Sequence, residues 1–340
     1  MTEQQLQLPR PRAGVWVRGA AVASLLVLLL LLGLVAVDYV RNGRPLSRLP
    51  GIPPSIGSLL FSPPQYVQST GGLAAPMGVA VAEDGTIYVA ESGGERMVRH
   101  FESDGKPLGA FAPPGTDAGA RVPVYVAVSR KGNVYVTDRA AQTVYVYTSQ
   151  GEFVGHLPSP FGDDGWQPLG VSFDREGNIY VTDVTPEKHR VLVLDPDGKL
   201  KLSFGKQGSG DGEFFFPNTV VVDRTGRMFV SDGNNGRVQM FDPGGKFLGV
   251  IGRGSTRGDL SLPRGLAVDD TDHLLFVVDT SRHAVQYYDI SGATPRFVNS
   301  FGDSGSPDSD LAFPTGIGVD GSGRVYVADR EHNRVSSWRY

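Results

Sequence analysis

The sequence predicts an all-β fold, a six-bladed β-propeller preceded by one transmembrane α-helix, and three observations predict it. A motif opening on proline recurs six times from Pro76 onward, 45 glycines and 24 prolines are dispersed rather than clustered, and the segments between them are β-branched and aromatic. Turn formers spread between short strands of that composition mark an all-β chain. The period fits one four-stranded blade better than a pair of helices.

Taken in chain order, residues 19–37, GAAVASLLVLLLLLGLVAV, carry no charge. As a helix they would rise about 28 Å, close to the thickness of a bilayer's hydrocarbon core. That apolar run exceeds the roughly 7 to 15 residues of a cleaved signal peptide, so a signal-anchor helix is expected. Arg10, Arg12 and Arg18 precede it while Arg41, Arg44 and Arg48 follow, and this balance does not set the orientation. The brevity of residues 1–18 favours a cytoplasmic tail, with the large domain extracytoplasmic on a single-pass cell-membrane anchor. Residues 38–56, holding Gly43, Pro45, Pro50, Pro53 and Pro54, read as a linker.

The six copies open PMGVAV at Pro76, PVYVAV at Pro123, PLGVSF at Pro168, PNTVVV at Pro217, PRGLAV at Pro263 and PTGIGV at Pro314, spaced 47, 45, 49, 46 and 51 residues apart. Each opening run is short and almost continuously apolar, as a strand covered on both faces should be. A turn dipeptide such as Asp84-Gly85 or Lys131-Gly132 follows, then a β-branched and aromatic second strand such as Ile87-Tyr88-Val89. That strand ends on an acid: Glu91, Asp138, Asp183, Asp232, Asp279 or Asp329. A third strand ends on a bulky residue, from Phe101 in the first copy to Trp338 in the last. The fourth strand is visible as KPLGAF, EFVGHL, KLKLSF, KFLGVI and RFVNSF, and copy six lacks one. A blade so shortened leaves open sheet edges in the ring. The segment QYVQST over residues 65–70 stands where a fourth strand would precede copy one. It is expected to pair into the last blade and make residues 57–340 one domain.

Copies four and six, in which Asp232 stands five residues before Arg237 and Asp329 five before Arg334, resemble NHL repeats. Copy three reaches Arg190 from Asp183 through a turn two residues longer, while Met97, Thr143 and Ala284 replace the arginine in copies one, two and five. The resemblance covers about four-fifths of the chain and implies an NHL/TolB-like six-bladed propeller of a membrane-anchored, prokaryotic type. A carboxylate and an arginine flanking a tight turn suit the bonding of loop backbone, so these pairs are expected to be structural.

Several chemistries are excluded or disfavoured. No cysteine is present, which removes disulfides, thiolate metal sites and a cysteine nucleophile. Neither G-x-S-x-G nor H-E-x-x-H occurs, and the glycine-rich residues 205–212 lead into a strand rather than a phosphate-binding helix. Peptidyl-hydroxyglycine lyases, which resemble NHL propellers, hold zinc through histidines just after the opening proline of several blades. Here those positions are Met77, Val124, Leu169, Asn218, Arg264 and Thr315. The histidines, His100, His156, His189, His273, His283 and His332, are expected on outer strands and turns away from the channel. Lactonase-type propellers hold calcium through carboxylates and amides, and Asn218 alone among the inner positions fits. Asp269, Asp270 and Asp272 read as a solvated turn. No metal and no cofactor are therefore expected.

Beyond residue 56 the chain has 26 basic and 34 acidic residues, a net −8, which opposes nucleic acid as a partner. The inner ring is the candidate binding site, with Asn218, Arg264 and Thr315 as a polar half and Met77, Val124 and Leu169 as an apolar half. Arg264 is suited to anchoring a carboxylate or a glycan oxygen. Trp166, Phe214 and Phe215 are aromatic candidates for a partner surface, with packing at the core edge as their simpler role. The function expected is a membrane-anchored scaffold or sensor for a protein, peptide or glycan. The alternative is a propeller enzyme of the lactonase, gluconolactonase or peptidyl-hydroxyglycine lyase type with a metal in its channel.

Overall fold

Proline cannot donate to a ladder, so it belongs at the first residue of a strand, and there each repeat places it. The inner strands run Pro76–Val81, Pro123–Val128, Pro168–Phe173, Pro217–Val222, Pro263–Asp269 and Pro314–Val319. A computed structural model of the chain describes residues 64–162, 165–253, 258–302 and 307–340. The tail, membrane helix and linker expected over residues 1–56 lie outside them. Among the described residues no helix is long and apolar enough to cross a membrane.

The described strands form six four-stranded sheets, each antiparallel throughout, which makes the fold an all-β six-bladed propeller. Inside each blade the opening proline faces the acid that ends the second strand, as in Pro76↔Glu91, Pro217↔Asp232 and Pro314↔Asp329. Just past the proline the register slips in all six blades. Such an irregularity bends a strand and re-aims the side chain within it. Blade six takes its outer strand from the other end of the domain: Gln65–Thr70 pairs antiparallel with Arg334–Arg339, from Gln65↔Arg339 to Thr70↔Val335.

Among the described residues six apolar clusters form a ring, each lying between two successive blades. The bulky residue closing the third strand belongs to these seams. Phe111 of blade one meets Tyr147 of blade two at 4.7 Å between ring centres, Phe204 meets Phe241 at 4.8 Å, and Phe301 meets Trp338 at 5.0 Å. Such pairs add about 0.5–1.5 kcal/mol each beyond burial. Toward the axis the blades come closer still, and glycine permits it. A Cβ on Gly78, Gly170, Gly265 or Gly316 would lie 2.3–2.6 Å from a carbonyl oxygen of the next blade. Blades two and four carry Tyr125 and Thr219 at this third position.

Candidate functional site: the channel mouth

The residue after each opening proline falls within the register slip, and in four of the six blades the preceding blade pins its backbone. Thr137, Thr182 and Ser231, one place before the acid of blades two to four, donate to the carbonyls of Leu169, Asn218 and Arg264 at 2.7, 3.1 and 2.6 Å. Blade six has Ala328 at that place, and Thr315 supplies the hydroxyl instead, donating to the carbonyl of Met77 at 2.7 Å.

Met77, Val124, Leu169, Asn218 and Arg264 come together around a cavity of about 280 Å³ at one end of the channel. Thr315, expected to share the polar half, is not among its lining residues. Its side chain is 1% exposed and its hydroxyl is held between the Met77 and Pro76 carbonyls. The apolar half is a cluster in its own right, in which Val124, Tyr125, Leu169 and Val184 are buried and Met77, Val122 and Phe216 pack on them. Asn218 is partly engaged, since its amide donates to the Phe216 carbonyl at 3.0 Å.

Residues that the inner-ring argument missed complete the wall. Arg139 and Arg330 come from the turns after the second strands of blades two and six, Asn234 from that of blade four, and Tyr125 from the third place of an inner strand. One signal was available in the sequence: PVYVAV sets a tyrosine where four copies have glycine. The arginines gave none, because only the ring geometry brings blades two, five and six to one opening.

Among the described residues the cavity wall holds three guanidinium groups, of Arg139, Arg264 and Arg330, and no carboxylate or histidine. The Nε atoms of Arg264 and Arg330 and the Tyr125 hydroxyl are buried without a hydrogen-bond partner. Burial pushes the Tyr125 phenol up to about 12, and the Arg264 guanidinium works against that rise without cancelling it. The phenol is therefore a neutral donor at physiological pH. Arg139 lies over the Phe216 ring, 6.0 Å from its centre.

The blade-turn pairs have a different task. Arg237 meets Asp232 at 2.7 Å, Arg334 meets Asp329 at 2.8 Å and Arg190 meets Asp183 at 2.9 Å. The other carboxylate oxygen accepts a backbone N–H of the loop leading into the same blade, from Phe215, Ala312 and Gln167 respectively. Two of the copies that depart from the repeat pattern find another arginine: Glu91 pairs with Arg99 at 3.0 Å and Asp279 with Arg282 at 3.3 Å. Among the described residues no three His, Asp or Glu side chains are placed to share a metal ion.

His189 departs from the expected distribution, because it is buried and packs 5.3 Å from Phe216, one side chain behind the cavity wall. It and His283 accept the backbone N–H of Phe216 and Phe313 through Nδ1, at 3.4 and 3.3 Å, as Asn333 accepts that of Ala75 at 2.9 Å. Asp269 is no solvated carboxylate either: it is buried and bonded to the Tyr340 hydroxyl, while Asp270 pairs with Arg175 at 3.1 Å. Trp166 and Phe214 are buried in the blade seams, and Phe215 is exposed beside His189.

Residues 311–336 match the NHL repeat family, and the six blades of the all-β propeller share one architecture. The protein brain tumor of Drosophila melanogaster is 33% identical over 134 residues, which are 39% of this chain and 12% of that protein. Peptidylglycine alpha-amidating monooxygenase of Rattus norvegicus is 33% identical over 166 residues, 45% of this chain and 16% of that one. The chain thus spans a small part of such relatives. Among solved structures, a chain of a nidogen/laminin complex aligns over 75% of this chain and 97% of its own length, with a TM-score of 0.59 at 15% identity. That likeness is one of fold.

Proposed function

We propose that this protein is anchored in the cell membrane by residues 19–37 and carries an extracytoplasmic propeller that binds a protein, peptide or glycan at the channel mouth. One observation carries the reading. The cavity wall pairs a cationic side with an apolar side and contains no carboxylate and no histidine, so it offers donors and contact surface but no group that takes up a proton near neutral pH. Rigid strands position that wall and loops frame it, an arrangement suited to binding.

A second reading, a lyase or lactonase-type enzyme with a channel metal, is favoured by a 27% identity over 156 residues to a probable peptidyl-alpha-hydroxyglycine alpha-amidating lyase of Caenorhabditis elegans. The two separate on the full chain, purified in detergent and dialysed, by metal analysis and a thermal melt with and without chelator. The binding reading expects no stoichiometric metal and an unchanged melt. About one equivalent of zinc or calcium, with stability lost to the chelator, would establish the enzyme reading instead. Orientation is tested by adding protease to intact cells. Digestion of the propeller with the N-terminal tail preserved is expected, and protection of the propeller until lysis would reverse the assignment.

A further inference from the structure

We propose that the channel mouth recognises a carboxylate carried on an apolar stem. The proposal deepens the binding reading of this cavity and rests on it. Two independent observations support it, one of charge and one of unused donors.

The domain is acidic overall, with 34 acidic against 26 basic residues beyond residue 56, yet the mouth gathers three arginines from three blades and no acid. Such a wall favours an anion, and in a low-dielectric recess a charge-assisted hydrogen bond is stronger than a neutral one.

Tyr125 is 5% exposed and lines both this cavity and the channel beyond it, where Val79, Val126 and Leu266 stand. Its hydroxyl and the Arg264 Nε are buried donors with no acceptor, a condition that natural proteins keep rare because each such group costs free energy. A guanidinium only donates, and a phenol beside it serves best as a second donor. Two donors without an acceptor match in number the two oxygens of a carboxylate, and Arg330 Nε is a third such buried donor on the same wall.

The opposite wall selects what carries the acid. Met77, Val124, Leu169 and Phe216 form a continuous apolar surface, and about 280 Å³ suits a leucine-sized group with its carboxylate. A free apolar acid and the C-terminus of a peptide both present this chemistry.

The test is calorimetric titration of the full chain in detergent with four probes: N-acetyl-leucine, its amide, an acetylated tetrapeptide ending in free leucine, and the amidated tetrapeptide. Each acid is expected to bind roughly tenfold or more tightly than its amide. Arg264→Gln should lose roughly tenfold toward the acids, and Tyr125→Phe about three- to tenfold, with the amides unaffected. Tyr125→Phe also removes an unpartnered buried hydroxyl, so its ligand-free melt should match or exceed that of the parent. Arg330→Gln, at a half-exposed side chain, guards against misfolding of the Arg264 variant and should weaken the acids about threefold. Tighter binding of the tetrapeptide than of N-acetyl-leucine identifies a chain terminus as ligand, and equal binding identifies the end group alone. Equal affinity for acid and amide, binding by none of the four probes, or undiminished binding in a folded Arg264→Gln protein would overturn the proposal. The binding reading itself falls only to the metal and chelator result.

Discussion

At the scale of residues, the six acids closing the second strands show how burial separates chemically equal pairs. Arg237 and Asp232 are both fully buried, and Arg237 also donates to the Gly210 and Glu213 carbonyls at 2.6 and 2.9 Å. Arg237→Met strands a buried carboxylate, and a loss of about 3–5 kcal/mol is expected from denaturant midpoints. Arg282 is 52% exposed at 3.3 Å from Asp279. There Arg282→Met should cost about 0–1 kcal/mol. Equal losses would show that the pairs hold the loops by shape rather than charge. The Asp–Arg spacing in copies three, four and six was legible in the sequence. The Glu91–Arg99 and Asp279–Arg282 pairs were not, because Arg99 reaches its acid from within the third strand and Arg282 from within the turn three residues on, rather than at the repeat's interval.

At the scale of elements, the turn between the inner and second strands of blade four carries a pH dependence. Asp223 accepts from the Thr225 and Arg227 amides at 2.8 and 3.0 Å and from Arg227 Nε at 2.7 Å. Burial, the largest single influence, raises its carboxyl. The Thr225 and Arg227 contacts together outweigh that and hold it below the ordinary value of 3.8. A carboxyl depressed in the folded state stabilises above its unfolded value and loses that contribution as pH falls through the folded one. The thermal midpoint should therefore fall on acidification below about pH 4. Asp223→Asn should start lower at pH 6 and decline less steeply, and a parallel decline would remove Asp223 as a source. Arg227 also donates to the Gly292 carbonyl at 2.7 Å, so this turn ties blade four to blade five, a contact that turn residues alone do not announce.

At the scale of the whole molecule, the ring closes through Gln65–Thr70. Tyr66 packs edge-on against Trp338 at 6.0 Å, and the Ser69 and Ser336 hydroxyls meet at 2.9 Å. A protein beginning at residue 71 lacks this strand and exposes the Arg334–Arg339 edge, whereas one beginning at residue 61 keeps it. Circular-dichroism melts should show a cooperative transition in the longer protein and a broadened or absent one in the shorter. Matching melts would mean that the seams between blades suffice.

The sequence by itself determined the number of blades, the order of strands within each, and the residues bound for the inner ring. Those follow from short-range rules, namely turn chemistry, proline at strand starts, apolar continuity and a repeat written six times. Tertiary structure decided which inner residues share the mouth. Thr315 is drawn into the seam, where its hydroxyl donates to the Met77 carbonyl, while Tyr125, Arg139 and Arg330 join Arg264 across the ring. Residues more than two hundred positions apart become neighbours only when the circle closes, and no local pattern encodes a contact made by closure.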